Sequence, residues 1–461
     1  MVFSSQIFLF YFLPTALILY YLSPKALRSG VLAVLSFVFY GWWRPDYSVL
    51  MLISAGIDYY AARRIESAQR VERRGTFWLV VSCVANLGLL GYFKYANLVA
   101  STVNDLRSLW GAEPLPWVEV LLPVGISFYT FQTLSYTIDV WRKEVPAARS
   151  FVDFLCFVSM FPQLVAGPIV RYSDVAEQLV SREHGFEKFY RGVLFLQAGL
   201  AKKVLIADNL HEVAAAAFDA PATDCGHAWL GLVSFALQIY FDFSGYSDMA
   251  IGLGLMLGFR FPINFDSPYK SRSVTEFWRR WHMSLSTWLR DYLYISLGGN
   301  RLGPLRTYFN LALTMLLGGL WHGAQWTFVL WGAYQGFWLI VERLAGKDGL
   351  WRRAPAYVGI GITFLTTLGG WVLFRAPTAG RAVSFYAELL GFGSGENDYH
   401  IGRMNQIALA IGLAIAWFAP TSQRLVARAP TWFALLLQPL FVWAVLHLFY
   451  EENVPFLYYQ F

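Results

Sequence analysis

One apolar, glycine-rich stretch of the chain contains a histidine and reads Leu316-Leu317-Gly318-Gly319-Leu320-Trp321-His322-Gly323-Ala324. No Asp, Glu, Lys or Arg occurs between Arg306 and Glu342, and a stretch of this kind is typical of membrane helices. Ionisable side chains at membrane depth are costly, so they usually face a cavity or a partner and often mark a functional site. A lone histidine would more often only orient neighbouring helices, so the interpretation of His322 depends on what accompanies it.

The composition indicates an integral membrane protein. Of the 461 residues, 57% are hydrophobic, 18% aromatic and only 14% charged, against about 25% charged in soluble proteins. The net charge of +6 could suggest nucleic-acid binding, but the basic residues fall in short clusters between apolar segments, as topology signals do. We therefore expect no nucleic-acid partner. The cysteines form no close-spaced pair, so neither a thiolate metal site nor a disulfide framework is indicated.

The apolar segments predict an all-α membrane protein with about eleven to thirteen membrane helices, each of about 20 residues. The segments lie near 5–22, 30–60, 77–98, 119–140, 151–170, 189–208, 228–258, 307–341, 356–376, 404–420 and 431–450. Polar residues interrupt two of them, at Arg44-Pro45-Asp46 and at Asp242 and Asp248. Broken or re-entrant helices are expected there, because lipid tolerates loosened backbone only inside protein or a wet cavity. We expect one domain over residues 1–461.

Charge asymmetry predicts which connections face the cytoplasm. One basic connection carries Arg63, Arg64, Arg70, Arg73 and Arg74. Another carries Arg142, Lys143 and Arg149. The connection 101–116 is not basic. By the positive-inside tendency the two basic connections are cytoplasmic and 101–116 lies outside.

A second histidine lies in the region 270–300. Ser273 and Glu276 have the spacing of a capping box, which predicts that a helix begins there. Apolar and aromatic residues then recur three or four apart, at Val274, Trp278, Trp281, Leu285, Trp288 and Tyr292. Such an amphipathic helix with tryptophans and arginines suits the headgroup zone of a membrane. His282 borders the aromatic stripe, so we expect it to point partly inward and to meet His322 from the helical region 307–341.

Two histidines are sufficient for acyl transfer from a thioester to a hydroxyl. A neutral imidazole is the side chain best matched to accept the hydroxyl proton at neutral pH. A second imidazole, an arginine or a freed backbone N–H near Gly318 or Gly319 could stabilise the developing oxyanion. A metal site is the competing use of two histidines, but no HExxH spacing or nearby carboxylate cluster supports one, so we expect no metal.

Further residues are candidates for supporting or lining such a site, and most also have a structural interpretation. They are Trp321, Gly323, Trp281, Arg279, Arg280, Arg290, Asp291, Asp242 and Ser244. The two arginines before Trp281 are expected mainly to meet lipid phosphate or to pair with Glu276. Asp291 is expected to form an ion pair with Arg290. Asp242 and Ser244 lie in a glycine-rich stretch that favours interhelical hydrogen bonding, with lining of a tunnel as the alternative.

The motifs resemble those of the membrane-bound O-acyltransferase family. The resemblance rests on Tyr240–Asp248, Glu276–His282, Trp288–Asn300 and Gly318–Gly323. Further matching stretches are Gly91–Asn97, Leu122–Gln132, Phe161–Pro168 and Pro455–Phe461. Within the family the chain is most similar to the membrane subunits of bacterial alginate and cellulose O-acetylation. The similarity extends over nearly the whole chain and is less distinct beyond Gly346.

The resemblance implies a ring of membrane helices with a central funnel and a tunnel. The tunnel would hold His322, with His282 as its companion. It also implies a multi-pass protein of the bacterial inner membrane that moves acetyl toward hydroxyls of an exopolysaccharide, alginate or cellulose. The donor would be cytoplasmic acetyl-CoA or an acetylated carrier, with no permanently bound cofactor. The expected partners are a periplasmic serine-hydrolase-like acetyltransferase, the polysaccharide synthesis and export machinery, and membrane lipid.

Two other functions compete with this prediction. The first is a transporter or exporter for the polysaccharide or the acyl donor, in which the histidines would relay protons. The second is an acyltransferase that acts on hydroxyls of lipid or protein. Acyl transfer would be seen as covalent label on the acceptor, whereas a carrier would only relocate intact substrate.

Overall fold

The structure is a computed structural model that describes residues 1–42, 44–346, 354–393, 395, 399–450 and 454–457. Over these ranges the chain forms helices and connecting segments, without a strand. The prediction of an all-α membrane protein is confirmed. Of the C-terminal motif quoted above, residues 458–461 lie outside the described residues.

The helices are named here in chain order. The first ten are α1 Ile7–Leu22, α2 Arg28–Gly41, α3 Pro45–Arg70, α4 Thr76–Leu109, α5 Ile126–Arg142, α6 Phe151–Ser159, α7 Phe161–Leu164, α8 Tyr172–Val180, α9 Phe186–Ala201 and α10 Asp208–Phe218. Those that follow are α11 Cys225–Met256, α12 Val274–Arg280, α13 Met283–Trp288, α14 Pro304–His322, α15 Trp326–Ala345, α16 Ala356–Arg375, α17 Ala379–Leu389, α18 Arg403–Phe418, α19 Ser422–Arg428 and α20 Thr431–Tyr450. Wide π-helical turns cover Lys202–Ala207 and Leu289–Tyr294.

The chain divides into two compact units. Unit 1 comprises Met1–Gly192 and Leu253–Pro262, and unit 2 comprises Val193–Gly252 and Ile263–Phe461. The expectation of a single domain stays a prediction. In unit 1, α3, α4 and α5 pack together around a buried carboxylate. Asp58 on α3 accepts hydrogen bonds from Ser82 (2.6 Å) and Asn86 (2.8 Å) on α4, so this buried acid is satisfied by neighbouring helices.

Some of the described helices are long and apolar enough to span a membrane. Judged on length and composition alone, three helices there can each cross a bilayer, namely α4, α16 and α20. The pair α18 and α19 passes together as a span bent by 72°. The larger predicted number of spans, the ring and the funnel stay predictions.

The two predicted helix interruptions have different outcomes. The first is confirmed, because α2 ends at Gly41 and α3 begins at Pro45. The second is wrong, since α11 runs without a break through Asp242 and Asp248. These acids are paired instead: Lys203 lies 3.1 Å from Asp242, and Lys202 lies 2.7 Å from Asp248. Cations from the π-helical turn satisfy the buried charges, so the backbone of α11 need not open.

Close packing of α14 against α15 shapes the part of unit 2 that holds His322. The predicted helical region 307–341 forms these two helices, and the break between them follows His322 directly. Glycines make the approach possible. A Cβ on Gly319 would fall 2.3 Å from the carbonyl oxygen of Phe328, and one on Gly332 would fall 2.5 Å from that of Met315. Small residues at such positions let helix backbones approach closely in membranes.

This packing predicts that Gly319→Ala destabilises the protein. The added methyl group would meet backbone, which cannot rotate away, and overpacking of this kind typically costs about 1–3 kcal/mol. Thermal unfolding of the purified full-length protein in detergent measures the effect. Gly361→Ala on α16 is the matched control, because a Cβ there meets nothing within 4 Å. Equal unfolding temperatures for the two variants would contradict the packing described.

Candidate active site

His322 is the last residue of α14 and is buried. Its side chain lies against aromatic rings, with centroid distances of 5.1 Å to Trp331 and 5.4 Å to Phe374. The next residue must be glycine for steric reasons, because a Cβ on Gly323 would fall 2.1 Å from the ring of Phe328. The Trp-His-Gly sequence therefore ends one helix and lets the next begin against the imidazole.

The predicted amphipathic helix begins as expected but breaks at His282. The Ser273 hydroxyl accepts a hydrogen bond from the Glu276 N–H (3.1 Å), and the Glu276 carboxylate accepts one from the Arg272 N–H (2.8 Å). The helix then ends at Arg280, and His282 takes a left-handed conformation with φ 43° and ψ 54°. The prediction of one continuous helix along the aromatic stripe is therefore wrong. Left-handed backbone is uncommon for residues other than glycine, and such positions concentrate at functional sites.

Asn264 holds the turn at His282 in place. Its backbone carbonyl accepts a hydrogen bond from the Met283 N–H (3.0 Å). Its side-chain oxygen accepts from the Ser284 N–H (3.2 Å) and hydroxyl (2.8 Å). Its amide nitrogen donates to Ser247 on α11 (3.2 Å). Asn264 was not among the residues predicted from the sequence. The residues around position 264 do not indicate that its hydrogen-bond partners are Met283 and Ser284, directly after His282.

The two histidines meet, as the sequence predicts. The centroids of the His282 and His322 rings are 6.3 Å apart, and the ring planes are inclined by 56°. His282 is 0% exposed, and Phe243 packs on it at 4.6 Å between ring centroids. Trp321 lies 5.8 Å from His282. The two imidazoles are thus close neighbours, with His282 enclosed by aromatic rings.

A cavity of about 480 Å³ reaches His322. Its polar and aromatic lining comprises Thr275, Trp278, Arg279, Ser286, Thr287, Arg290, Tyr294, Thr314, His322 and Trp331. The candidate residues Arg279 and Arg290 thus share a cavity with the histidine of α14. His282 is not part of the lining and stands behind it. The cavity places positive charge and a histidine in one space, which suits an anionic substrate with an electrophilic end.

The charged candidates divide into paired and unpaired residues. Arg280 pairs with Glu276 (2.7 Å), and Arg290 pairs with Asp291 (2.6 Å), so the predicted structural ion pairs are confirmed. Both pairs join residues close in sequence and remain partly exposed to solvent, so each is worth about 1 kcal/mol or less. Arg279 is exposed and makes no ion pair with any described residue. Its charge is therefore available to the cavity.

The indole groups of two tryptophans also belong to this cavity. Trp278 and Trp331 line it, and their ring centroids are 5.7 Å apart. Neither indole N–H has a hydrogen-bond acceptor among the described residues. Of the three possible oxyanion donors, a freed backbone N–H at Gly318 or Gly319 is ruled out, because both residues lie within α14, where the N–H groups are committed to helical hydrogen bonds. Trp331 was not predicted as a site residue, because the apolar sequence around it in α15 does not distinguish it from a core residue.

The remaining candidates lie apart from the His322 cavity. Trp281 is buried among aromatic rings, including Trp371 at 5.0 Å, and serves the core. Asp242 forms the ion pair with Lys203 and accepts a hydrogen bond from the Leu457 N–H (2.8 Å), so it fastens the C-terminal segment. Ser244 lines a second, largely apolar cavity of about 320 Å³ together with Asp248.

Comparison with known proteins places this site in a family. The model of the membrane-bound O-acyltransferase family matches residues 47–347. The probable alginate O-acetylase AlgI of Pseudomonas aeruginosa is 48% identical over 90% of this chain and 79% of its own length. The peptidoglycan O-acetyltransferase of Helicobacter pylori is 35% identical over 85% of this chain and 80% of its own. The teichoic acid D-alanyltransferase of Streptococcus thermophilus is 30% identical over 60% and 71%.

The matched range includes both converging histidines and the cavity around them, and the similarity to alginate O-acetylases extends over most of the chain. The chain belongs to the membrane-bound O-acyltransferase family and is a membrane-bound O-acyltransferase.

Proposed function

We propose that this protein transfers acetyl from a cytoplasmic thioester donor toward hydroxyls of an exopolysaccharide, alginate or cellulose. The observation that carries the proposal is the meeting of two buried imidazoles, one of which lines a cavity with Arg279, an arginine that has no ion pair among the described residues. The similarity to alginate O-acetylases over most of the chain supports acetyl as the group and alginate as the polymer. The multi-pass character fits the bacterial inner membrane, where donor and polymer lie on opposite sides.

His322 acts as the general base. It takes the proton of the acceptor hydroxyl as the hydroxyl oxygen attacks the thioester carbonyl carbon. The new C–O bond forms, the C–S bond breaks, and the proton returns to the departing thiolate. This role needs a neutral imidazole, and the His322 ring is held against Trp331 and Phe374. His282 lies behind His322, at 6.3 Å between ring centroids and outside the cavity lining, so it acts through His322 as a positioning residue and does not touch the donor carbonyl.

The developing oxyanion has hydrogen-bond donors in the same space. The guanidinium of Arg279 lines the cavity and can donate to an oxyanion there. Trp278 and Trp331 also line it, but their indole nitrogens are buried. Arg279 supplies the positive charge for the donor. Acetyl-CoA and an acetylated carrier both carry a phosphate on the pantetheine arm, and guanidinium groups bind phosphate well.

The proposal also includes the molecules that receive the acetyl group. The acetyl group passes to a periplasmic acetyltransferase of the serine-hydrolase-like type, which delivers it to polymer held by the synthesis and export machinery. The relatives that act on peptidoglycan and teichoic acid support an acceptor beyond the cytoplasm. The transporter alternative is tested by vesicles that contain the protein and labelled acetyl donor. Acetyl transfer leaves covalent label on an acceptor, and carrier activity leaves only intact donor on the far side.

The general-base role predicts that His322→Ala lowers acetyl transfer by about 10²- to 10⁴-fold, the usual contribution of a positioned base. Acetate content of the secreted polymer and transfer in vesicles both measure the loss, with immunoblotting of membranes to confirm that the protein accumulates. His400→Ala is the matched control, because His400 is exposed and away from the cavity. Normal acetylation by the His322 variant at normal protein level would refute the proposal.

The phosphate-binding role predicts that Arg279→Gln raises KM for acetyl-CoA by about tenfold or more, since charge-assisted hydrogen bonds are worth about 1.5–3 kcal/mol. An acetyl thioester of N-acetylcysteamine, which lacks phosphate, should be used equally by the variant and the native protein. Arg272→Gln, also exposed but outside the cavity lining, controls for lost charge. If Arg279 only anchored the helix at lipid, both donors would suffer alike.

A further inference from the structure

A basic cleft lies in unit 1, within the N-terminal part of the chain. It has a volume of about 470 Å³ and is lined by Gln69, Glu72, Arg73, Arg74, Trp141, Arg142 and Lys143. The sequence places these residues in two separate basic connections, both expected on the cytoplasmic side. The structure brings the two connections together, so four cations face one small space with a single carboxylate among them.

The walls of the cleft are held by specific contacts. Gln69 near the end of α3 donates hydrogen bonds to the last carbonyls of α5, at Val140 (3.1 Å) and Trp141 (3.0 Å). Each helix then turns through a left-handed residue other than glycine, Glu72 with φ 58° after α3 and Lys143 with φ 65° after α5. These hydrogen bonds and turns fix the backbone on both sides of the cleft, which distinguishes it from basic residues scattered over a surface.

The charge of the cleft favours an anion. Each helix C-terminus contributes about half a negative charge, and Glu72 adds one more. The cations Arg73, Arg74 and Lys143 by themselves exceed these terms by about one charge. A phosphate group would therefore be attracted, and arginines match its oxygens with paired N–H donors.

The surface beside the cleft identifies what carries the phosphate. Helix α4 begins at Thr76, directly after the basic turn, and can span a membrane. Its first turns expose an apolar face, with Phe77 70%, Val80 52% and Val84 66% exposed. The Trp141 indole N–H donates to the Thr76 hydroxyl (3.4 Å), so the cleft and this apolar face adjoin. A cation cluster next to an exposed apolar stripe matches a molecule with an anionic head and hydrocarbon chains.

We propose that this cleft is a binding site for an anionic phospholipid. The headgroup phosphate lies among Arg73, Arg74, Arg142 and Lys143, and an acyl chain runs along Phe77, Val80 and Val84 of α4. Basic pockets beside membrane helices on the cytoplasmic side recognise anionic headgroups in this way. The site is independent of the acyl-transfer chemistry, because none of its residues belongs to the cavity of His322.

The test is a lipid titration of the full-length protein in detergent, followed by native mass spectrometry. We expect palmitoyl-oleoyl-phosphatidylglycerol to bind at least about tenfold more tightly than the phosphatidylcholine with the same chains. The double substitution Arg73→Gln with Arg74→Gln should remove that preference, and replacement of both arginines by lysine should retain most of it. The control is Arg63→Gln with Arg64→Gln, which removes the same charge from exposed positions of α3 outside the cleft.

Three results would overturn the proposal. One is an equal loss of preference in the control variant, which would indicate nonspecific attraction to basic surface. Another is displacement of the bound lipid by inorganic phosphate at concentrations near that of the lipid, which would indicate a site for free phosphate. The last is equal affinity for the two lipids in the native protein. Unfolding temperature, measured for every variant, separates lost binding from lost folding.

Discussion

The approach of the His282 and His322 rings to 6.3 Å depends on a backbone conformation at His282 that a regular helix does not allow, and on the end of α14 directly after His322. His282 needs a left-handed turn, and Asn264 supplies the hydrogen bonds that hold it. His322 needs a helix that ends at once, which the bare Cα of Gly323 allows against Phe328. Strain at one residue and steric fit at the other are thus stabilised by the surrounding packing, as is common where chemistry is carried out.

The same structure shows how charge is accommodated in an apolar chain. Buried acids are satisfied by neighbours: Asp58 by hydroxyl and amide donors, and Asp242 and Asp248 by lysines of one π-helical turn. Arg279, which has no ion pair among the described residues, lies beside the His322 cavity. This distribution follows from the cost of isolated charge at membrane depth, and it gives Arg279 weight as a site residue.

The sequence predicted the membrane class, the start of the helix at Ser273 and the meeting of the histidines, because each depends on composition or on local spacing. It failed where distant residues decide the local structure. The aromatic stripe predicted a continuous helix, since the hydrogen bonds from Asn264 that stabilise the break are not visible in the stripe. The acids of α11 predicted a broken helix, since the lysines that pair with them lie before α10. Trp331 carried no signal, because an indole inside an apolar helix looks like core.

His282 and His322 form one functional unit, in which His322 meets the reactants and His282 supports it from behind. A double-mutant cycle tests it most directly, with acetyl transfer measured in vesicles for the native protein, His282→Ala, His322→Ala and the double variant. Residues that act as a unit are strongly non-additive. If the two histidines act as one unit, the double variant transfers acetyl no more slowly than the slower single variant. Losses that multiply would show two independent contributions and contradict it.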